Sequence, residues 1–240
     1  KLPLLIVGTI LVGSASVGWA QGPFSIIPFA ESELFFEENT TDGDLGLHFK
    51  VDGDGWDRVI LVNGHFESLV DVRLGGKLGS VIGLTELFSE SAEPSFDEMP
   101  REDFLALFPP GPYYFFGRTL DGSWLVGFTM LTHHLPGAVE LVSPEEEAEV
   151  SPDENLVIQW KTLVAPNAPN NAIEFYEIVA ERDEDEGLHQ VFSIIMPATA
   201  TSVSVPAEFL EAGTDYKVEI IAQETSGNRS AVESPFSTEE

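Results

Sequence analysis

Short apolar runs bounded by Gly and Asp clusters recur along the chain, and this spacing predicts strands. In the first half they are His48 to Val51, Arg58 to Val62, Ser68 to Arg73, Tyr113 to Thr119 and Trp124 to Leu131. Runs of this length, rich in Val, Ile, Phe and Tyr, are the pattern of an all-β domain. Leu120-Asp121-Gly122-Ser123 separates the last two. Asp-Gly between apolar runs predicts a type I′ turn, and hence one long hairpin from Tyr113 to Leu131. One helix interrupts the pattern, at Pro100 to Phe108. Pro100 suits a first helical position, Glu102 and Asp103 complement the dipole, and Pro109-Pro110 stops it. Phe104, Leu105, Leu107 and Phe108 would be its apolar face, plugging an open end of a sandwich or barrel.

A boundary falls near Leu135 to Ala138, where Leu135-Pro136-Gly137 makes a rigid turn and an acidic, Pro-punctuated stretch follows. Beyond it, Val139 to Val142 reads as one strand and Asn155 to Thr162, carrying Trp160, as another. Ile173 to Arg182 is a third, with Tyr176 in its alternation. The most specific stretch is Phe209-Leu210-Glu211-Ala212-Gly213-Thr214-Asp215-Tyr216, followed by Val218, Ile220 and Ala222. A Leu, then a Gly, then a Tyr opening an alternating strand is the tyrosine-corner pattern of β-sandwiches. On these residues the segment 139–240 resembles a fibronectin type III domain. The resemblance implies a spacer or interaction module and no chemistry, because a fold alone fixes no function. It departs from the family in its acidic run Asp183-Glu184-Asp185-Glu186. The turn before the last strand, Ser226 to Ser230, holds no Arg-Gly-Asp tripeptide, so integrin recognition of that kind has no support. The expected architecture is all-β: two β-sandwich-like domains in series, residues 21–138 (a sandwich or open barrel) and 139–240.

Residues 1–20 read as an export signal, with Lys1, the apolar run from Leu2 to Val12, and small residues Gly18 and Ala20 before Gln21. The run is shorter than the roughly 20 apolar residues a membrane span needs. The expectation is a secreted or cell-surface protein. The absence of Cys leans towards a bacterial source, since small secreted animal domains commonly rely on disulfides.

Charge changes the picture most. Asp and Glu number 41 against 11 Lys and Arg, for a net charge of −30. Such a surface repels phosphate backbones and disfavours nucleic acid as a partner. It favours solubility in salt and attraction of divalent cations.

Candidate sites follow from that chemistry. Asp42-Gly43-Asp44 and Asp52-Gly53-Asp54-Gly55-Trp56-Asp57 place carboxylates two apart among glycines, read here as turns, and Ca²⁺ takes six to eight oxygen ligands. Neither is an EF-hand, because the sixth positions are Leu47 and Asp57 where Gly is needed. Asp42, Asp44, Asp52, Asp54 and Asp57 are therefore candidate Ca²⁺ ligands, set against solvated turns. His133 and His134 point to opposite faces of an extended chain and are expected to be one packed and one exposed. In Tyr113-Tyr114-Phe115-Phe116, Tyr113 and Phe115 share one face and Tyr114 and Phe116 the other. Trp56, Tyr114 and Phe116 are candidate ligand-stacking rings, as on a carbohydrate-binding module. Asn39-Thr40-Thr41 and Asn228-Arg229-Ser230 match glycosylation acceptor triplets. No nucleophile elbow, zinc-protease helix or phosphate loop is present.

The function expected is therefore non-enzymatic binding, adhesion or structural work outside the cell, with an extracellular protein or polysaccharide as partner. The alternatives are an accessory or catalytic piece of a polysaccharide-degrading enzyme, or a self-assembling filament subunit. In the last, Phe24 to Phe29 would be an inserting strand, against an ordinary first strand.

Overall fold

A computed structural model describes residues 25–163, 173–183 and 190–240. The expected export signal and most of the acidic run after Asp183 lie outside these residues. The first unit contains β1 (Ile26–Pro28), β2 (Glu31–Asn39), β3 (Asp44–Asn63), β4 (Ser68–Arg73) and β5 (Leu84–Glu90). Helix α1 (Arg101–Leu107), β6 (Gly111–Thr119) and β7 (Trp124–Leu131) complete it.

β3 organises this unit. It runs 20 residues, and its two halves have different neighbours. Residues 44–52 pair with β2 and β5, whereas residues 56–63 pair with β6 and β4. The register breaks between Asp52 and Arg58. This is how a strand turns a corner from one sheet into another, through a bulge eased by glycine. The Asp52–Asp57 stretch is thus the bend of a continuous strand and not a hairpin turn, which corrects the sequence expectation. Leu34, Phe36, Leu45 and Phe49 on one half meet Trp56, Val59, Leu61, Phe115 and Leu125 on the other in a common core. Helix α1 closes it with Phe104 edge-on to Phe36 at 6.3 Å. Leu107, expected on the apolar face, is exposed instead, because the seven-residue helix presents only Phe104 and Leu105 inward.

The β6–β7 hairpin forms, but its turn differs from the I′ type. Gly122 alone is left-handed (φ 88°), and its N–H donates to the Thr119 carbonyl at 3.0 Å. The Asp121 carboxylate accepts from the Thr119 hydroxyl and from Ser123 N–H, which holds Asp121 out of the positive-φ region that a I′ turn requires.

The second unit comprises β8 (Val139–Ser143), β9 (Ala148–Val150), β10 (Leu156–Thr162), β11 (Ile173–Arg182) and β12 (Val191–Pro197). Then follow β13 (Ser202–Val205), β14 (Asp215–Glu224) and β15 (Arg229–Thr238). One sheet is ordered β13-β10-β8 and the other β12-β11-β14-β15, the two-sheet arrangement of an immunoglobulin-like sandwich. Trp160 and Tyr176 meet in its core at 5.4 Å. Tyr216 is fully buried, and its hydroxyl accepts the Glu211 N–H at 2.8 Å, so the tyrosine corner is in place.

The two units share a sheet. β15 lies parallel beside β2, with Arg229 opposite Glu37 and Ala231 opposite Asn39, and the joined sheet has 12 strands. The last hairpin of the sandwich is used in this seam. Asn228, 1% exposed, accepts Phe36 N–H at 2.9 Å and donates to the carbonyls of Thr132 (3.0 Å) and His134 (2.8 Å). Arg229 lies 4.5 Å above the Phe35 ring and pairs with Glu37. Buried Asn228 is no glycosylation acceptor. Ile26–Pro28 pairs parallel with β7 of the same chain as an edge strand.

Candidate functional site

The corner in β3 sets the outer face of the β4-β3-β6-β7 sheet. Alternation along β6 buries Tyr113 and Phe115 and turns Tyr114 and Phe116 outward, as expected from the four consecutive aromatics. Register then extends the outer row across the sheet. Tyr114 stands opposite Phe128, Phe116 opposite Val126 and Ile60, and Arg118 opposite Trp124. Phe128 is 55% exposed and Trp124 46%. Phe66, at the tip of the β3–β4 turn, lies parallel to Tyr114 at 5.9 Å and 6°, while Phe128 flanks Tyr114 from the other side at 5.6 Å.

Phe66 is unusual twice over. It is 70% exposed and holds φ at 62°, a left-handed conformation that costs a bulky L-residue on the order of 1 kcal/mol or more. Asn63 fixes the turn, its side-chain oxygen accepting from the N–H groups of His65 and Glu67. Backbone strain of this kind clusters at functional sites.

At the far end of the face lies a row of like charge. Arg58 on β3 is opposite Arg73 on β4 and Arg118 on β6. Asp71 clamps Arg58 through both oxygens, at 2.7 and 2.5 Å, and this holds the Asp71 carboxyl below its ordinary range. A shallow hollow of about 240 Å³ opens among the three arginines, Ile60, Phe116 and Trp124, with Asp57 also on its wall.

The remaining sequence candidates do not gather into a site. Trp56 is 0% exposed in the core, so it offers no ring to a ligand; the bulge gives it the inward parity that the glycine-rich sequence concealed. Asp42 sits in the β2–β3 turn and Asp44 at the start of β3, whereas Asp52, Asp54 and Asp57 follow the bend at the other end of that half-strand. Among the described residues no three His, Asp or Glu groups converge to hold a metal ion. His133 packs edge-on to Phe36 and its Nε2 meets the Phe108 carbonyl at 2.8 Å, with His134 exposed. The buried histidine is His48, 3% exposed between Phe35 and Phe88. Burial keeps it neutral, lowering its pKa to about 4. Its neighbour Glu93, at 3.3 Å, is pushed up to about 7 by burial and by surrounding carboxylates. The signals for Phe66, Phe128 and the arginine row lay in cross-strand register, which the sequence does not print.

No protein-family model matches the chain, and no curated protein matches it. Solved structures similar to it include fibronectin(III)-like modules of Clostridium thermocellum CbhA, with 10% identity, TM-score 0.35, and 88% of this chain and 93% of that one covered. A two-domain fibronectin type III segment of chicken tenascin matches at 12% identity and TM-score 0.29, covering 86% of this chain and 97% of that one. The FN1–FN3 domains of chicken CNTN1 match at 10% identity and TM-score 0.32, covering 90% and 69% respectively. The fold assignment of residues 139–240 rests on their own strand order, on Trp160 and on the tyrosine corner. Among the described residues no helix is long and apolar enough to cross a membrane.

Proposed function

We propose that this protein is a non-enzymatic binding protein of the cell exterior, and that its ligand is a carbohydrate chain stacked on the outer face of β6 and β7. The observation that carries this reading is the arc Phe66–Tyr114–Phe128, three rings side by side on an open sheet, with Trp124 further along the same face. Sugars present apolar C–H faces of ring size, and exposed aromatic planes match them without a closed pocket. A contiguous apolar patch on an otherwise highly charged protein marks an interaction surface. The type III-like sandwich then serves as a spacer, coupled through the Asn228 seam so that it carries the face as a rigid unit.

The test is affinity electrophoresis and calorimetry of the full chain against a panel of soluble polysaccharides. Phe128→Ala and Tyr114→Ala should each weaken the best binder about tenfold, the scale of a central aromatic anchor. A chain that binds no polysaccharide, or variants that bind as well as the parent, would overturn the reading.

A further inference from the structure

The arginine row deepens that proposal, and rests on it, by naming the class of sugar. Ten Lys and Arg lie among the described residues, in a chain with 41 acidic groups. Seven of the ten are in ion pairs: Lys50, Arg58, Arg101, Lys161, Arg182, Lys217 and Arg229. The three without one are Arg73, Lys77 and Arg118. Where carboxylates outnumber cations nearly four to one, an unpaired arginine is the exception, and both such arginines stand in one cross-strand row. Lys77 caps the short helical turn that follows β4.

Folding does not explain this row. Like charges directly opposite one another on a sheet are destabilising. Asp71 of the next row is clamped on Arg58 and reaches Arg73 only through its field, and Asp57 on the wall of the hollow likewise acts on Arg58. An anion seated over Arg58, which stands between Arg73 and Arg118 in the row, would relieve both. The floor there is apolar, formed by Ile60 and Phe116, with Trp124 at the rim. The hollow is smaller than the roughly 300–1,000 Å³ of a drug-sized pocket, which suits a single ring of a longer chain. A guanidinium is a forked donor matched to a planar carboxylate. We infer that the face binds an acidic polysaccharide, with sugar rings stacked on Trp124 and the Tyr114 arc and a ring carboxylate held by Arg73 and Arg118. The net negative charge elsewhere does not forbid this, since charges beyond about 8 Å are largely screened at physiological ionic strength.

The experiment compares polygalacturonate with the same polymer after methyl esterification, which keeps the ring and removes the charge, using the full chain. The expected result is binding to the acid form, weakened by salt and lost on esterification. Arg73→Gln and Arg118→Gln should each weaken it about tenfold with an unfolding midpoint unchanged or slightly raised, because both side chains are exposed, in no ion pair, and opposite the like charge of Arg58. Trp124→Ala should weaken it as well. Equal binding of both polymers, unaffected by the arginine variants, would overturn the acidic-sugar inference and leave the stacking proposal standing. Competition by poly-glutamate as effective as that by polygalacturonate would overturn the inference too, since a chain without sugar rings would then suffice. If neither these polymers nor any neutral polysaccharide binds, both proposals fall.

Discussion

The β6–β7 and β14–β15 hairpins obey the same rule on their inner faces and opposite rules on their outer ones. Inward, Tyr113, Phe115 and Leu125 in the first match Tyr216, Val218 and Ile220 in the second, all buried. Outward, the second hairpin settles its own chemistry: Lys217 pairs with Glu233 at 2.8 Å and with Glu181 at 3.4 Å. Its tip is spent on the seam through Asn228. The first hairpin leaves aromatic rings and an arginine in solvent, with nothing among the described residues covering or pairing with them. Core packing therefore looks alike in the two hairpins, while uncovered aromatic rings lie on the first alone. The proposed recognition face thus lies on the N-terminal unit, and the last turn of the sandwich is occupied internally by the seam.

The sharpest way to break that comparison uses two tryptophans of the first unit. Trp56→Ala should cost about 3–5 kcal/mol, the usual effect of emptying a large core position, read as a lower denaturant midpoint. Trp124→Ala should stay within about 0.5 kcal/mol, as exposed substitutions do, while weakening ligand binding. A stable Trp56→Ala, or an unfolded Trp124→Ala, would reverse which ring is structural and which is displayed.

Next in size is the seam. Asn228→Ala strands the buried Phe36 N–H and takes the donor from the half-buried Thr132 and His134 carbonyls. A buried polar group without a partner costs about 1–3 kcal/mol, so a total loss of about 3 kcal/mol is expected. Cooperativity should suffer as well. Coupled units unfold in one transition, and the variant should show two by calorimetry, because each unit keeps its own hydrophobic cluster. A single unshifted transition would show that the shared sheet holds without Asn228.

A smaller effect comes from carboxyl groups near the seam. Burial and facing carboxylates raise Glu219 to about 7, with Glu233 directly opposite it on β15, and Glu93 is raised likewise. A carboxyl whose folded pKa lies above its unfolded one binds more protons when folded. Its contribution is full below the unfolded value of 4.5 and is lost as pH rises through 7. His48 has the opposite sign. With its pKa lowered from 6.5 to about 4, its contribution is full above 6.5 and lost as pH falls towards 4. Between pH 6.5 and 8 these glutamates contribute a falling slope, so the thermal midpoint should drop by a few degrees across that window. Glu219→Gln should flatten the slope, and an unchanged slope in that variant would remove Glu219 as its source.

What the sequence disclosed was what depends on near neighbours. Tyr216 and its upstream Gly213 and Leu210 form a local constellation, and the in–out alternation of Tyr113 to Phe116 needs only period two. The strands β2, β5, β9, β12 and β13 lie outside the sequence expectation, because none joins a specific turn to a strict alternation as Tyr216 and its neighbours do. Trp56 was misread because Asp52 to Asp57 has the composition of a turn, whereas the bulge that turns β3 from one sheet to the other decides which way the indole points. Arg58, Arg73 and Arg118 are far apart in sequence and become a row only through the pairing of β3 with β4 and β6. A register slip of one residue would send them to the other face. Asn228 looked like a glycosylation acceptor because the sequence does not record that its hairpin docks on the first unit.

The smallest expected change in stability is also the one that bears most directly on display. Phe66→Asn puts into the left-handed position a residue that adopts it readily, which relieves about 1 kcal/mol of backbone strain. The same substitution removes the parallel contact with Tyr114, worth about 0.5–1.5 kcal/mol. The two nearly cancel, so the unfolding midpoint should move by less than about 1 kcal/mol in either direction. Binding of the best polysaccharide should nevertheless weaken about tenfold, because one of three rings in the arc is gone. A loss of stability on the scale of Trp56→Ala would instead make Phe66 part of the packed fold. Unchanged binding would shrink the working surface to Tyr114, Phe128 and Trp124.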